Sequence, residues 1–304
     1  MNGILCIDKP AGFTSFDVIA KLRGILKMRR LGHAGTLDPM ATGVLPVFVG
    51  YATKACGILP DEDKIYEAEF QLGQVSNTQD STGTILETYD FSGITREDVL
   101  KAVPSGQIMQ IPPMYSAVSV GGKRLYELAR EGKEIERQPR PVLVKIVYCP
   151  VFHPETGTGK LEIHCGKGTY VRTLIHDMGQ ALGCGAVMTG LRRCCASGFT
   201  LENCHTLQEV QKVADEGKPE KLLIPIEKAF SSLPEIHLNQ KQTVHYRNGV
   251  KLGLSQLKKQ IAEDAVRYAV YGMPDGFLGT AIVDSENDLL KIERNLCEPK
   301  EVNS

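Results

Sequence analysis

Lys64-Ile65-Tyr66-Glu67-Ala68-Glu69-Phe70-Gln71-Leu72 alternates apolar and polar residues almost without a break. Strand side chains alternate between faces, so Tyr66, Ala68, Phe70 and Leu72 share one face and Glu67, Glu69 and Gln71 the other. One apolar face implies a sheet with a layer packed over it. Outward from this stretch, strands are expected at residues 85–89, 142–151 and 160–165, and a buried one at 44–49 that carries Pro46. Towards the N-terminus, residues 3–7 read as a strand that ends in the turn Lys9-Pro10-Ala11-Gly12. Helical spacing appears between the strands. Thr14 and Asp17 form a capping box ahead of Ile19, Leu22 and Leu26, and Thr95 caps residues 95–103. Thr169 is read as the cap of a helix carrying Val171, Leu174, Ile175, Met178 and Leu182 on one face, closed by Gly183. Residues 205–214 read as another helix. Strands and helices in this order define an α+β chain.

Residues 104–141 break the pattern. They hold Pro112-Pro113, Gly121-Gly122 and a stretch dense in Arg and Glu, with a short helix around Leu125, Leu128 and Ala129. This is read as an insertion from the core, of the kind that is usually functional. A boundary is placed near residues 231–234, giving a domain over 1–230 and a β-rich module over 231–304. The module's strands are expected at 235–238, 249–252, 267–271 and 278–283.

The 304 residues are 42% hydrophobic and 23% charged, the balance of a globular protein, and exclude wholesale disorder. No apolar run approaches the ~20 residues of a membrane span, and Asp8, Lys9 and Pro10 interrupt the first apolar run where a signal peptide would continue. Nine cysteines with no C-x-x-C spacing read as reduced cytosolic thiols. Net charge is −1, yet base is locally concentrated: five basic residues against one acidic over 17–35, seven against four over 119–147, and four against one over 167–193. Such patches suit phosphates if the fold gathers them, and are otherwise solvated surfaces. No pair of Cys or His has metal-ligand spacing, and no glycine loop matches a nucleotide-binding pattern. No metal and no nucleotide cofactor are expected.

Chemistry concentrates in Gly32-His33-Ala34-Gly35-Thr36-Leu37-Asp38-Pro39-Met40-Ala41-Thr42-Gly43-Val44-Leu45. Pro39 restricts the backbone of Asp38, and the flanking glycines let other groups approach. This is a carboxylate on a stiff loop ahead of a buried strand, or simply an Asp-Pro turn. The longer string closely resembles the catalytic motif of the TruB-type tRNA pseudouridine-55 synthases. Collinear blocks extend the likeness: Gly3-Ile4-Leu5-Cys6-Ile7-Asp8-Lys9-Pro10, Gly12-Phe13-Thr14-Ser15, Lys64-Ile65-Tyr66, Pro112-Pro113-Met114-Tyr115-Ser116-Ala117, Lys123-Arg124-Leu125-Tyr126, Lys167-Gly168-Thr169-Tyr170-Val171-Arg172 and Leu191-Arg192-Arg193. One departure is Asn77, where the family usually has aspartate; Asp80 in the same loop fits.

The resemblance implies a mixed-sheet catalytic domain, a PUA-like RNA-binding tail, and isomerisation of a T-loop uridine in tRNA to pseudouridine. Asp38 would be the essential aspartate, as nucleophile or as base. Arg172 would keep that carboxylate ionised. Its position also stands out: counted from Thr169, it is the third residue of a helix, where the macrodipole prefers acids. Tyr66 would stack on the flipped uracil or relay a proton; the alternative is a core tyrosine. His33 would fill the gap left by the flipped base, and Tyr170 and Leu191 would line the base pocket. Asp80 would contribute to substrate contacts, and Lys123, Arg124, Arg130 and Lys133 would clamp RNA. The implied partner is tRNA, through its T-arm, with no membrane and no obligate protein partner, in the cytoplasm. The guide-RNA-dependent branch of the same superfamily shares the aspartate loop and is the nearest rival; a tRNA-folding protein and a carboxylate-dependent hydrolase are the others.

Overall fold

A computed structural model describes residues 1–60, 63–257, 260–262 and 264–298. The chain divides into two compact units, one comprising Met1–Asp38, Val44–Asp61 and Ser197–Ser304, the other Pro39–Gly43 and Glu62–Ala196.

In the second unit, strands Ala186–Ala196, Lys64–Leu72, Thr158–Cys165, Arg140–His153 and Gly106–Gln110 lie side by side in that order, all antiparallel. Thr42 and Gly43 run parallel beside Arg192 and Arg193, so the sheet is mixed, as expected. The alternating row of Lys64–Leu72 folds as its pattern requires: Tyr66, Ala68, Phe70 and Leu72 are buried while Glu67 and Glu69 face water. Helix Val171–Ala181 buries Val171, Leu174, Ile175 and Met178. Helix Arg96–Ala102 starts from a reciprocal capping box between Thr95 and Asp98.

Three expectations change here. Strand Ala186–Ala196 was not anticipated, because register shifts at Met188/Gly190 and Arg193/Cys195 break the alternation that would have announced it. The insertion is shorter than 104–141, since Gly106–Gln110 pairs with residues 140–144 at the edge of the sheet. What projects is 111–139. It contains a small hairpin of Ser119–Val120 with Lys123–Arg124, and helix Leu125–Arg130 packed on Met114 through Leu125 and Leu128. Finally, Tyr170, not Thr169, stands at the cap position: Gln110 holds both backbone groups of Tyr170, and the Thr169 hydroxyl in the preceding turn donates to the Gly166 carbonyl at 3.1 Å. Arg172 is therefore the second helical residue. It remains a cation in the first turn.

In the first unit, Cys204–His205, Gly3–Lys9, residues 44–49 and Leu31–His33 are adjacent strands, so the motif around Asp38 opens in a strand before its loop. Helices Ser15–Leu26 and Leu207–Asp215 cover them, with Leu5, Ile7, Val18, Leu22, Leu45, Val47, Leu207 and Val210 in one core. The Thr14–Asp17 box is complete: Thr14 N donates to the carboxylate at 2.8 Å and Asp17 N to the hydroxyl at 3.0 Å. A second sheet orders Glu235–Leu238, Arg267–Gly272, Gly276–Asp284, Leu289–Asn295 and Leu252–Gly253 around Ile236, Tyr246, Tyr268, Val270 and Leu278. Its helix Gln240–Arg247 and strand Leu289–Asn295 were not expected, and the strand expected at 249–252 is only Leu252–Gly253. Asn239 and Gln242 form a capping box, a local signal that the polar composition of 240–247 concealed.

Candidate active site

Within the first unit, the backbone just before Asp38 is held from the start of a helix. Ser15, the first residue of Ser15–Leu26, is almost wholly buried. Its hydroxyl accepts from Leu37 N at 2.8 Å and donates to Leu37 O at 3.3 Å. One side chain thus satisfies both backbone groups of the residue before Asp38, and buries Leu37 with them. Asp38 is half-buried. His33 ends strand Leu31–His33 opposite Val47, and Ala34 N extends the pairing to Pro46 O at 3.1 Å. Gly35, at φ 73°, then turns the chain out of the strand.

Within the second unit, the residues after Asp38 are fixed equally closely. Gly43 has φ +100°, and a Cβ there would lie 2.2 Å from the Arg193 carbonyl oxygen. Only glycine permits this approach. Arg192 donates to the Thr42 hydroxyl at 3.3 Å. Arg193 is paired with Gly43 on one side and Tyr66 on the other. Tyr66 therefore sits two strands from Gly43, about 10 Å at the usual strand spacing. Leu191, half-buried, is opposite Ala68 and so lies diagonally from Tyr66 on the same face of the sheet. Arg193 is fully buried and was not among the expected site residues. The doublet Arg192-Arg193 was a visible signal for it, but not for its burial.

Arg172 is buried as well. It donates to Tyr115 O at 2.8 Å and Thr78 O at 3.1 Å, and stands 3.6 Å from the Asp80 carboxylate. These acceptors explain a cation in the first helical turn: they offset what the macrodipole disfavours. Asp80 is buried beside it, and one carboxylate oxygen accepts from the Thr78 hydroxyl, Thr82 N and the Thr82 hydroxyl at 2.7, 2.9 and 2.6 Å. Asn77 accepts from Thr84 N at 2.9 Å, a contact that needs only the oxygen an aspartate would also supply. Tyr170 is clasped by Gln110, whose carboxamide accepts from Tyr170 N at 2.8 Å and donates to Tyr170 O at 3.1 Å. Tyr170 and Gln110 line a cavity of ≈ 330 Å³ together with Pro112, Arg140, Val142 and Lys167.

The four cations expected to clamp RNA lie together on the projecting segment. Lys123 and Lys133 both reach Glu131, at 3.8 and 2.7 Å, and hold its carboxyl below the usual range, Lys133 most strongly. Arg124 donates to Ala117 O at 2.7 Å, and Arg130 lies 5.5 Å over the Tyr126 ring. Among the described residues, no group of three His, Cys, Asp or Glu is placed to hold a metal, and no helix is long and apolar enough to cross a membrane.

Two family models match the chain: the TruB family pseudouridylate synthase N-terminal domain over residues 23–171, and the tRNA pseudouridylate synthase B C-terminal domain over 172–231. The chain is 41% identical to tRNA pseudouridine synthase B of Dehalococcoides mccartyi strain CBDB1, over 95% of this chain and 94% of that one. It is 39% identical to the same-named protein of Clostridium perfringens strain 13, over 98% and 100%. Among solved structures, a Cbf5-Nop10-Gar1 complex superposes with a TM-score of 0.74 at 25% identity, covering 97% of this chain and 85% of that one. An H/ACA RNP bound to a substrate RNA shares the fold, with a TM-score of 0.72. By descent along nearly its whole length, the chain belongs to the TruB family of pseudouridylate synthases, which are isomerases.

Proposed function

We propose that this chain converts uridine to pseudouridine at position 55 in the T-loop of tRNA, with Asp38 as the essential carboxylate. The observation that carries the reading is the bracing around Asp38: Ser15 holds the residue before it, and the Gly43–Arg193 contact holds the strand after it. A carboxylate so braced can meet a reacting sugar or base in one orientation. The reaction breaks the N–C glycosidic bond and rejoins the same ring through carbon, so it balances without redox agent or group donor. Asp38 would serve as nucleophile or as base in that step. The target base must leave its stack first. His33, Tyr170 and Leu191 are proposed to receive the flipped base and fill the space it leaves.

Tyr66, on an inward row and paired with Arg193, is proposed to stack on the uracil or move a proton. Arg172 is proposed as the family's arginine, with Asp80 3.6 Å from it supporting its position, and Asp80 is proposed to contribute to substrate contacts. Lys123, Arg124, Arg130 and Lys133 are proposed to grip RNA phosphates, and residues 231–304 to act as a second RNA-binding module. Similarity over 95–98% of the chain to proteins named tRNA pseudouridine synthase B favours this reading over guide-RNA dependence. The reading places the enzyme in the cytoplasm with tRNA, without an obligate protein partner.

The test uses the purified chain alone with one unmodified tRNA transcript and maps pseudouridine by nucleotide. Modification at position 55 is expected, and Asp38→Asn should abolish it while tRNA affinity stays within about tenfold, or ~1.4 kcal/mol. Turnover by Asp38→Asn above about one hundredth of the parent rate would refute the assignment of Asp38.

A further inference from the structure

Cys6 lies inside strand Gly3–Lys9 and is fully buried, whereas Cys204 opens the two-residue strand Cys204–His205 and is partly exposed. The strands run parallel, with Cys6 opposite Cys204 and Ile7 opposite His205. Cross-strand partners project from the same face, so the two thiols stand side by side. Neighbouring strands lie ~4.7–4.9 Å apart, within the ~4.4–6.8 Å separation of Cα atoms that a disulfide spans. The Cys204 thiol beside it, and then burial, push the Cys6 thiol up. Cys204 also donates to Thr200 O at 3.4 Å. Its strand is at the edge of the sheet, where a shift of a few tenths of an ångström disturbs one neighbour only.

We propose that Cys6 and Cys204 form an oxidisable pair that closes to a disulfide when a peroxide reaches Cys204. The exposed Cys204 sulfur attacks hydrogen peroxide, the O–O bond breaks, and one water leaves, giving a sulfenic acid. The Cys6 sulfur then attacks the Cys204 sulfur; the S–S bond forms, the S–O bond breaks, and the hydroxyl departs as water with the Cys6 proton. Two thiols and one peroxide become one disulfide and two waters. A dithiol reverses the change by exchange. The closed loop spans roughly 200 residues, so the bond constrains the unfolded chain and raises the unfolding temperature.

The test treats the reduced full-length protein with equimolar hydrogen peroxide and maps unreduced peptides by mass spectrometry. The expected product is a crosslink between the Cys6 and Cys204 peptides, two hydrogens lighter than their sum and lost on adding dithiothreitol. Oxidised protein should melt at a higher temperature than reduced protein, and Cys204→Ser should lose both the crosslink and the thermal shift. The wild-type map decides the matter even if that variant does not fold. Cys204 ending as sulfinic acid with Cys6 still a thiol, or oxidation confined to other cysteines, would overturn the proposal.

Discussion

Replacing Ser15 with alanine removes one oxygen and leaves two backbone groups of Leu37 without their partner. The shorter bond, Leu37 N to Ser15 Oγ at 2.8 Å, is the one that matters most. Leu37 is only 3% exposed, so its N–H loses an acceptor in a place that water does not readily reach. A buried donor left unsatisfied costs ~1–3 kcal/mol. The longer bond to Leu37 O, 3.3 Å, adds less. We expect a loss of about 2 kcal/mol, or roughly 4–8 °C in the unfolding midpoint of a unit this size. The rate should suffer more than the fold. Asp38 is the next residue, and a displacement of about 1 Å at a reacting group costs on the order of 10²-fold. Single-turnover pseudouridine formation should therefore fall ~10–100-fold at saturating tRNA, with binding nearly unchanged. An unchanged midpoint with an unchanged rate would refute the claim that Ser15 braces the aspartate.

Gly43→Ala should destabilise by ~3 kcal/mol or more, seen as insoluble or low-melting protein, because its Cβ meets the Arg193 backbone at a positive φ. Neutralising Lys123, Arg124, Arg130 and Lys133 together should weaken tRNA binding and flatten its salt dependence. The fall in slope should be nearer two counterions than four, since Glu131 already engages both lysines; a full loss of four would show that those pairs are negligible. Burial raises the Asp177 carboxyl above its ordinary value, with His176 opposing, so its folded-state stabilisation exists at low pH and is lost as pH rises through the raised value. Asp177→Asn should accordingly melt higher than wild type at pH 7, and the gap should close towards pH ~4; a pH-independent gap would contradict this.

What the sequence disclosed follows from how local each cause was. Tyr66 was legible as an inward residue because its strand keeps strict alternation and nothing interrupts it. Ala186–Ala196 carries Leu191 and Arg193, yet two register shifts erase its period, so only the family likeness drew attention to it. Thr169 looked like a helix cap by every local criterion. The decision was made 60 residues away, where Gln110 takes both backbone groups of Tyr170 and leaves Thr169 in the preceding turn. Arg172 was conspicuous as a misplaced charge, but its acceptors at Tyr115 and Thr78 are 57 and 94 residues distant. The motif around Asp38 is readable in one line of sequence; the hydroxyl that braces it, 22 residues before Leu37, is not.

The projecting segment is unequal along its length. At the Gly121-Gly122 turn, both glycines hold positive φ and a Cβ on either would meet open space. Foreign residues spliced there would lengthen a hairpin and disturb nothing beneath it. Between Gln110 and Tyr115 the same splice would pull one residue off Tyr170 and the other off Arg172. Related chains can therefore diverge freely in the reach of this segment while its root stays at fixed length, and, on the proposed reading of the segment as an RNA clamp, a graft meant to redirect the enzyme to another RNA belongs at the tip.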